Sequence, residues 1–195
     1  MGFFDWTAPL IARYGCRWSR ADAETIVEWL GPLPAKGAAV LDVGGASGAL
    51  ASLVADRTGA TVTVLDPTPA LIARLPRRPD IVGVLGFAER MPLESDSIDA
   101  LVCTDAFHHF RDQEGFAREA ARVCRPGAKV LVLDLDAEAV PRLIVWAERL
   151  VREPAAFLTP EQTRELFKRH GVTGVCEHTR GASYRFLGTV GADPS

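Results

Sequence analysis

The sequence predicts an α/β fold, and two observations carry that prediction. Short apolar runs rich in β-branched residues alternate with segments whose apolar positions recur three and four residues apart, which reads as βαβ units. The runs are also nearly continuously hydrophobic, as strands of a parallel sheet must be when both faces are covered.

Ser19 followed by Asp22 forms a capping pair that opens a helix over ADAETIVEWLG. Strands follow at AAVLDV (38–43), TVTVLD (61–66), DIVGVLG (80–86), IDALVCT (98–104) and AKVLVLDLD (128–136). Between them GALASLVADRTG, TPALIARL and DQEGFAREAARVC have helical spacing. Either Asp66 or Thr68 can cap TPALIARL, and Thr68 is the better placed. A further helix is expected from Ala137 to Glu153. Thr159, Pro160 and Gln162 start another over EQTRELFKRHG, which stops at Gly171. VTGVCEHT and SYRFLGTV, joined by RGA, read as a closing antiparallel hairpin.

With 195 residues, 48% hydrophobic and 24% charged, the chain can build one good core, so residues 1–195 are expected to form a single domain. It divides into an N-terminal helical cap segment (1–36), a central core (37–136) and a closing part (137–190) made of the covering helix, the second helix and the hairpin. A net charge of −3 gives no footprint for nucleic acid. Cys16, Cys103, Cys124 and Cys176 form no CxxC pair and are expected to be reduced, with no metal site. Asp5 interrupts the N-terminus before any signal-like apolar stretch, and no apolar run approaches the roughly 20 residues a membrane span needs. A soluble, cytoplasmic protein is the expectation.

The stretch LDVGGASGAL (41–50) places Gly44, Gly45 and Gly48 where a strand becomes a helix. Glycines there permit left-handed backbone and close approach of a ligand, and ligands of open parallel sheets bind at the strands' carboxyl ends. The spacing is not GxGxxG, and Asp42 just before the turn would repel a pyrophosphate. Asp66, at the end of the second strand, is suited to accept two ribose hydroxyls. A ligand with a ribose, a cationic head and no phosphate is implied; S-adenosyl-L-methionine fits that description.

Four motifs in order then resemble a known family: VLDVGGASG, VTVLDPTPALIARL, GFAERMPLESDSIDALVC and DAFHHFRDQEGFAREAARVCRPGAKVLVLD. Residues 38–136 resemble the core of class I S-adenosylmethionine-dependent methyltransferases, in the small-molecule group that includes the ubiquinone and menaquinone biosynthesis enzymes. The resemblance implies a Rossmann-like, doubly wound, mostly parallel seven-stranded sheet of order 3-2-1-4-5-7-6, the last strand antiparallel. It further implies that Asp42 and the backbone of Gly44, Gly45, Ala46 and Gly48 hold the methionine part, and Asp66 the ribose. Pro67 lies against the adenine, Ala88 offers its backbone to the adenine edge with Glu89 beside it, and Thr104 and Asp105 line the sulfonium end. Two positions depart from the family pattern. Ala46 stands for the middle glycine, and Phe87 for the Asp that usually receives the adenine amino group, with ring packing as its substitute.

His108 or His109, just after the fourth strand, could accept a proton during methyl transfer, and the sequence leaves open which. Phe3, Phe4, Trp6 and Tyr14 form either a staple for the N-terminal helix or a flap over the cofactor, Tyr14 being the candidate near the sulfonium. Arg13, Trp146, Tyr184 and Arg185 are further candidates for facing the substrate, without a spacing argument. The expected activity is in-line methyl transfer to a small-molecule acceptor, at a site that is open or completed by a second subunit in a homodimer. The alternatives are a non-catalytic cofactor-binding relative and an NAD-dependent oxidoreductase.

Overall fold

A computed structural model describes residues 19–33, 37–141 and 156–191. Helix α1 (Arg20–Leu30) opens on the expected capping box: Ser19 N–H donates to Asp22 Oδ2 at 2.8 Å and Asp22 N–H to Ser19 Oγ at 3.2 Å. The sheet begins with β1 (Ala39–Val43), followed by α2 (Ala49–Thr58), β2 (Thr61–Asp66), α3 (Pro69–Ile72) and β3 (Ile81–Leu85). Then come β4 (Ile98–Thr104), a 3-10 turn (Phe107–His109), α4 (Gln113–Val123), β5 (Cys124–Leu135), α5 (Pro160–Arg169), β6 (Val172–His178) and β7 (Ser183–Val190).

The seven strands form one sheet of order β3-β2-β1-β4-β5-β7-β6. Pairing is parallel from β3 through β5, and β7 runs antiparallel to both β5 and β6. This is the Rossmann-like doubly wound order, and the reversal between β1 and β4 opens a crevice at the strands' carboxyl ends.

Alternation along each strand sends neighbouring residues to opposite faces, and both faces are buried. Leu41, Val43, Leu101, Cys103, Val130 and Val132 join α4 and α5 on one face. Val40, Val62, Val64, Ala100, Val102 and Leu131 join α1 and α2 on the other. Asp42, with the parity of Val40, therefore points to the face where α2 begins. The first face is bound by aromatics: Phe167 stacks on Phe186 with centroids 4.7 Å apart, and Phe116 meets Phe107 at 5.6 Å and Phe110 at 4.9 Å. Those contacts pin the 3-10 turn to α4.

The expected TPALIARL helix shrinks to the four residues of α3. Thr68 sits at its N-cap but makes no side-chain capping bond; Asp66 Oδ1 instead accepts the Thr68 N–H at 2.8 Å. An Asp accepting the N–H two residues on forms an Asx turn, which leads the chain into α3. The capping box of α5 is present as expected, with Gln162 N–H donating to Thr159 Oγ1 at 3.2 Å. Cys103 and Cys124 are free and buried, and Cys176 is free and half-buried. No helix among the described residues is long and apolar enough to cross a membrane. The segment expected as a helix from Ala137 to Glu153 falls mostly outside the described residues, as do Phe3, Phe4, Trp6, Arg13, Tyr14, Cys16 and Trp146.

Removing a ring from the centre of the aromatic cluster leaves a void that the two packed helices cannot close. Phe167→Ala is expected to lower unfolding stability by about 3–5 kcal/mol in urea titration.

Candidate functional site

The turn after β1 is built from backbone that few side chains tolerate. Gly44 has φ 72° and Gly48 φ 74°; a Cβ on Gly44 would lie 2.5 Å from the Ala106 Cβ, in the segment following β4. Gly45, expected to take a left-handed angle, does not; its constraint is proximity, because a Cβ there would sit 2.5 Å from Asp42 Oδ2. Ala46, although not a glycine, is also left-handed, at φ 49°. Its N–H donates to Asp66 Oδ2 at 3.2 Å, so the second strand's carboxylate braces the first strand's turn. Helix α2 starts at Gly48 with no side-chain cap.

Asp42 is 2% exposed, and neither of its oxygens has a hydrogen-bond partner among the described residues. Burial, reinforced by the charge of Asp66, pushes its carboxyl up to about 7. Asp66 is raised too, by burial, against the opposing hydrogen bonds from Thr68 and Ala46. Two acidic side chains thus stand at neighbouring strand tips, one satisfied by backbone and one without a donor. A buried carboxylate with no partner costs free energy unless it is protonated or meets a cationic donor. The charge and hydrogen-bonding capacity at this edge suit an ammonium or hydroxyl-bearing ligand and oppose a pyrophosphate.

The remaining sequence candidates fall around the same edge with different surroundings. Thr104 is buried at the end of β4, and Asp105 follows at φ 51°, its N–H donating to Leu133 O at 2.9 Å. The charges of Asp134, Asp42 and Asp105 all reach Cys103, where they add to burial in raising the thiol. Ala88 is buried, whereas Phe87 is 58% exposed and pairs through its backbone with Arg90, so its ring has no packed seat. Glu89 Oε1 accepts the Arg111 N–H at 3.2 Å. Pro67 is exposed at the tip of β2.

The structure overturns two substrate-facing candidates. Tyr184 is fully buried, its hydroxyl 2.6 Å from Thr163 Oγ1, because its position on β7 points into the sheet's packed face. Arg185 lies over the Trp29 ring at 4.4 Å and binds Glu177, on the opposite side of that strand.

His108 and His109 differ in a way their adjacency in sequence could not reveal. His108 is 6% exposed, with its Nδ1 2.6 Å from Asp134 Oδ1 and its backbone N–H donating to Asp134 Oδ2 at 2.8 Å. Phe157 stacks on its ring at 4.7 Å, and His109 lies 4.1 Å away in the other contact. Asp134, at the carboxyl end of β5, was read only as part of a strand. An acid ending an apolar run on the ligand-binding edge of a parallel sheet was the available signal.

Comparison with known proteins follows the same lines. Residues 41–132 match the methyltransferase domain family. An uncharacterized methyltransferase of Mycobacterium tuberculosis is 37% identical over 105 residues, covering 53% of this chain and 42% of its own. The ubiquinone/menaquinone biosynthesis C-methyltransferase UbiE of Paracoccus denitrificans is 31% identical over 126 residues, covering 60% and 50%. The chain spans about half the length of the curated relatives it matches. Among solved structures, a Haloferax volcanii methyltransferase in complex with the Trm112 activator superposes with TM-score 0.83 at 18% identity, covering 98% of this chain and 99% of its own. A Haemonchus contortus phosphoethanolamine N-methyltransferase with bound S-adenosyl-L-methionine gives TM-score 0.82 at 16% identity, covering 98% and 60%. At such identities the structural likeness establishes the fold alone.

Two measurements test the geometry of this edge. Burial holds the Asp42 proton in the folded chain up to about pH 7, whereas the unfolded chain loses it near 3.8, so its contribution to stability is full below the unfolded value, falls between there and about 7, and is gone above it. Asp42→Asn is therefore expected to melt higher than the parent at pH 8 and to lack that decline in thermal scans from pH 5 to 9. Ala46→Gly, which releases the left-handed angle, is expected to gain about 1 kcal/mol in urea titration.

Proposed function

We propose that the chain is a class I S-adenosylmethionine-dependent methyltransferase, a reading supported by the match of residues 41–132 to the methyltransferase domain family, and that it transfers a methyl group from S-adenosyl-L-methionine to a small-molecule acceptor. The observation that carries the proposal is the partnerless, buried Asp42 carboxylate beside Asp66. A cationic nucleoside supplies what that pair lacks, whereas a dinucleotide adds phosphates to a region already acidic.

In this reading the Asp42 carboxylate receives the ammonium of the methionine part, and the Gly44–Gly48 backbone follows it without side-chain obstruction. Asp66, already bound to two backbone donors, retains lone pairs for ribose hydroxyls. Pro67 and Phe87 flank the adenine, Ala88 presents backbone to its edge, and Glu89 stands beside it while tied to Arg111. Thr104 and Asp105 line the sulfonium end. When bound, the cofactor supplies an electrophilic methyl group on positively charged sulfur. Asp42, Asp66 and Asp105 provide the negative field that holds a positive charge there. Alignment of acceptor and methyl, rather than protonation of a leaving group, is the main demand of such a displacement.

The acceptor enters over the carboxyl ends of β1, β4 and β5. Its chamber is open or is completed by a second copy of the chain.

Calorimetry with S-adenosylhomocysteine tests the assignment. The parent is expected to bind it and to ignore NADH. Asp66→Ala is expected to weaken binding at least tenfold, or about 1.4 kcal/mol. Unchanged affinity would remove the ribose role, and preference for NADH would replace the reading with an oxidoreductase.

A further inference from the structure

We propose that the outer edge of β3 is a self-association surface, on which a second copy of this chain pairs its own β3 in the antiparallel sense about Gly83. The proposal stands apart from the methyl-transfer reading.

β3 is the last strand on its side of the sheet and is bonded only to β2 among the described residues. Val62 N–H donates to Asp80 O at 2.8 Å, and Gly86 N–H donates to Asp66 O at 3.2 Å. In a parallel ladder those two bonds place the even-numbered residues of β3 toward β2. The N–H and C=O of Gly83 and Leu85, with the C=O of Ile81, therefore point to the open side; the Ile81 N–H is taken by Arg78 O at 3.3 Å. Open edges are ordinarily guarded by a charge, a proline or a bulge. Ile81–Leu85 reads IVGVL in unbroken register and carries none of these. β6, at the other edge of the sheet, carries Glu177 and His178.

Exposed apolar side chains follow the same edge. Val82 is 43% exposed, Leu85 53% and Phe87 58%. They fall within six residues, so the exposure forms a strip rather than the single scattered side chains of an ordinary surface.

The order of the side chains selects a second copy as the occupant. Around Gly83 the chain is nearly symmetric in chemistry, with Val82 and Val84, Ile81 and Leu85, and Pro79 and Phe87 at equal distances on either side. With a two-fold axis at Gly83, Val82 lies opposite the partner's Val84, Leu85 opposite the partner's Ile81, and Phe87 level with the partner's Pro79. Each exposed apolar residue thus meets another apolar residue, and Phe87 gains the packed neighbour it lacks in one copy. The free backbone groups match as well. Gly83 exchanges a pair of N–H···O bonds with the partner's Gly83, and each Leu85 N–H reaches the Ile81 C=O of the other copy. No charged side chain lies between Asp80 and Glu89, so no like charges are forced together. Arg77, before the strand, falls level with the partner's Glu89 beyond it. A different protein presenting a strand would satisfy the backbone, but the apolar match is a property of β3 against itself.

Sedimentation equilibrium and amide hydrogen exchange on the parent chain test this. The parent is expected to dimerise with a Kd on the order of micromolar, as a small interface gives. The Gly83 and Leu85 amides are expected to exchange roughly tenfold more slowly, or better, in the dimer than in the dilute monomer. Leu85→Lys puts a charge at a position already open to water, so the fold is kept. It is expected to weaken association by roughly 100-fold and to release both amides. Thiol cross-linking reads the register. In the proposed pairing residues 82 and 84 of different copies are directly opposite, whereas 82 and 82, or 84 and 84, lie on diagonals about 7–8 Å long. Val82→Cys and Val84→Cys are therefore expected to give a disulfide-linked dimer when mixed that neither gives alone. A parent that stays monomeric at about 0.5 mM would overturn the proposal, whether its edge is left open, covered by the chain's own residues or taken by another protein. So would a dimer whose Gly83 and Leu85 amides exchange freely, a dimer unaffected by Leu85→Lys, or cross-linking of either cysteine variant with itself in place of the mixture.

Discussion

A carboxylate shut away from water and from donors is the constraint on which the ligand-binding edge depends. Asp42 is the last residue but one of a strand whose other residues are apolar, and Gly45 comes so close to it that no Cβ fits between them. The turn must therefore be nearly bare for the acid to be accommodated. Because the turn is bare, its backbone needs support from elsewhere, which Asp66 gives by accepting the Ala46 N–H. The first strand supplies charge, and the second strand holds the loop that surrounds it. In the folded chain this arrangement is under electrostatic tension, since burial and the nearby charge of Asp66 raise the cost of ionising Asp42. A folded state that tolerates such a group has its stability provided by the two hydrophobic faces of the sheet.

Much of this was legible in the sequence. Continuous apolar runs fix strands that are buried on both sides, and the Ser19–Asp22 and Thr159–Gln162 pairs mark helix starts that the structure retains. Asp42 and Asp66 were legible because each terminates an apolar run, and a charge at such a place has few structural excuses. Other features depend on long-range contacts and leave no local trace. The shortening of α3 is instead local and comes at its far end, where residues 73–75 turn with i+3 hydrogen bonds ahead of Pro76 rather than continuing the helix that periodicity suggests. Tyr184 and Arg185 are adjacent on a strand, so they had to face opposite sides, but which side was buried depended on where β7 inserts. The distinction between His108 and His109 was likewise settled by a residue on another strand, Asp134, 26 positions away.

The two faces of the sheet divide the work. One face carries α1 and α2 with small and aliphatic side chains, allowing close approach of α2 to the strands beside the glycine turn. The other carries the rings of Phe107, Phe116, Phe167 and Phe186, which tie α4, α5 and the 3-10 turn into one block. Rigid rings with fixed contacts give His108 a surround with little freedom. Positional accuracy at the strand tips is thus inherited from packing that lies well below them.

The insertion of β7 between β5 and β6 has a consequence for biosynthesis. On a ribosome the strands from β1 to β5 emerge first and can assemble as a parallel unit. The antiparallel neighbour of β5 does not exist until Ser183–Val190 have been translated. Throughout that interval the nascent sheet carries Lys129–Leu135 as a bare outer row of peptide groups, a template to which other nascent chains can attach. Rapid translation of the last third of the message, or a chaperone resting on that row, shortens the period of risk.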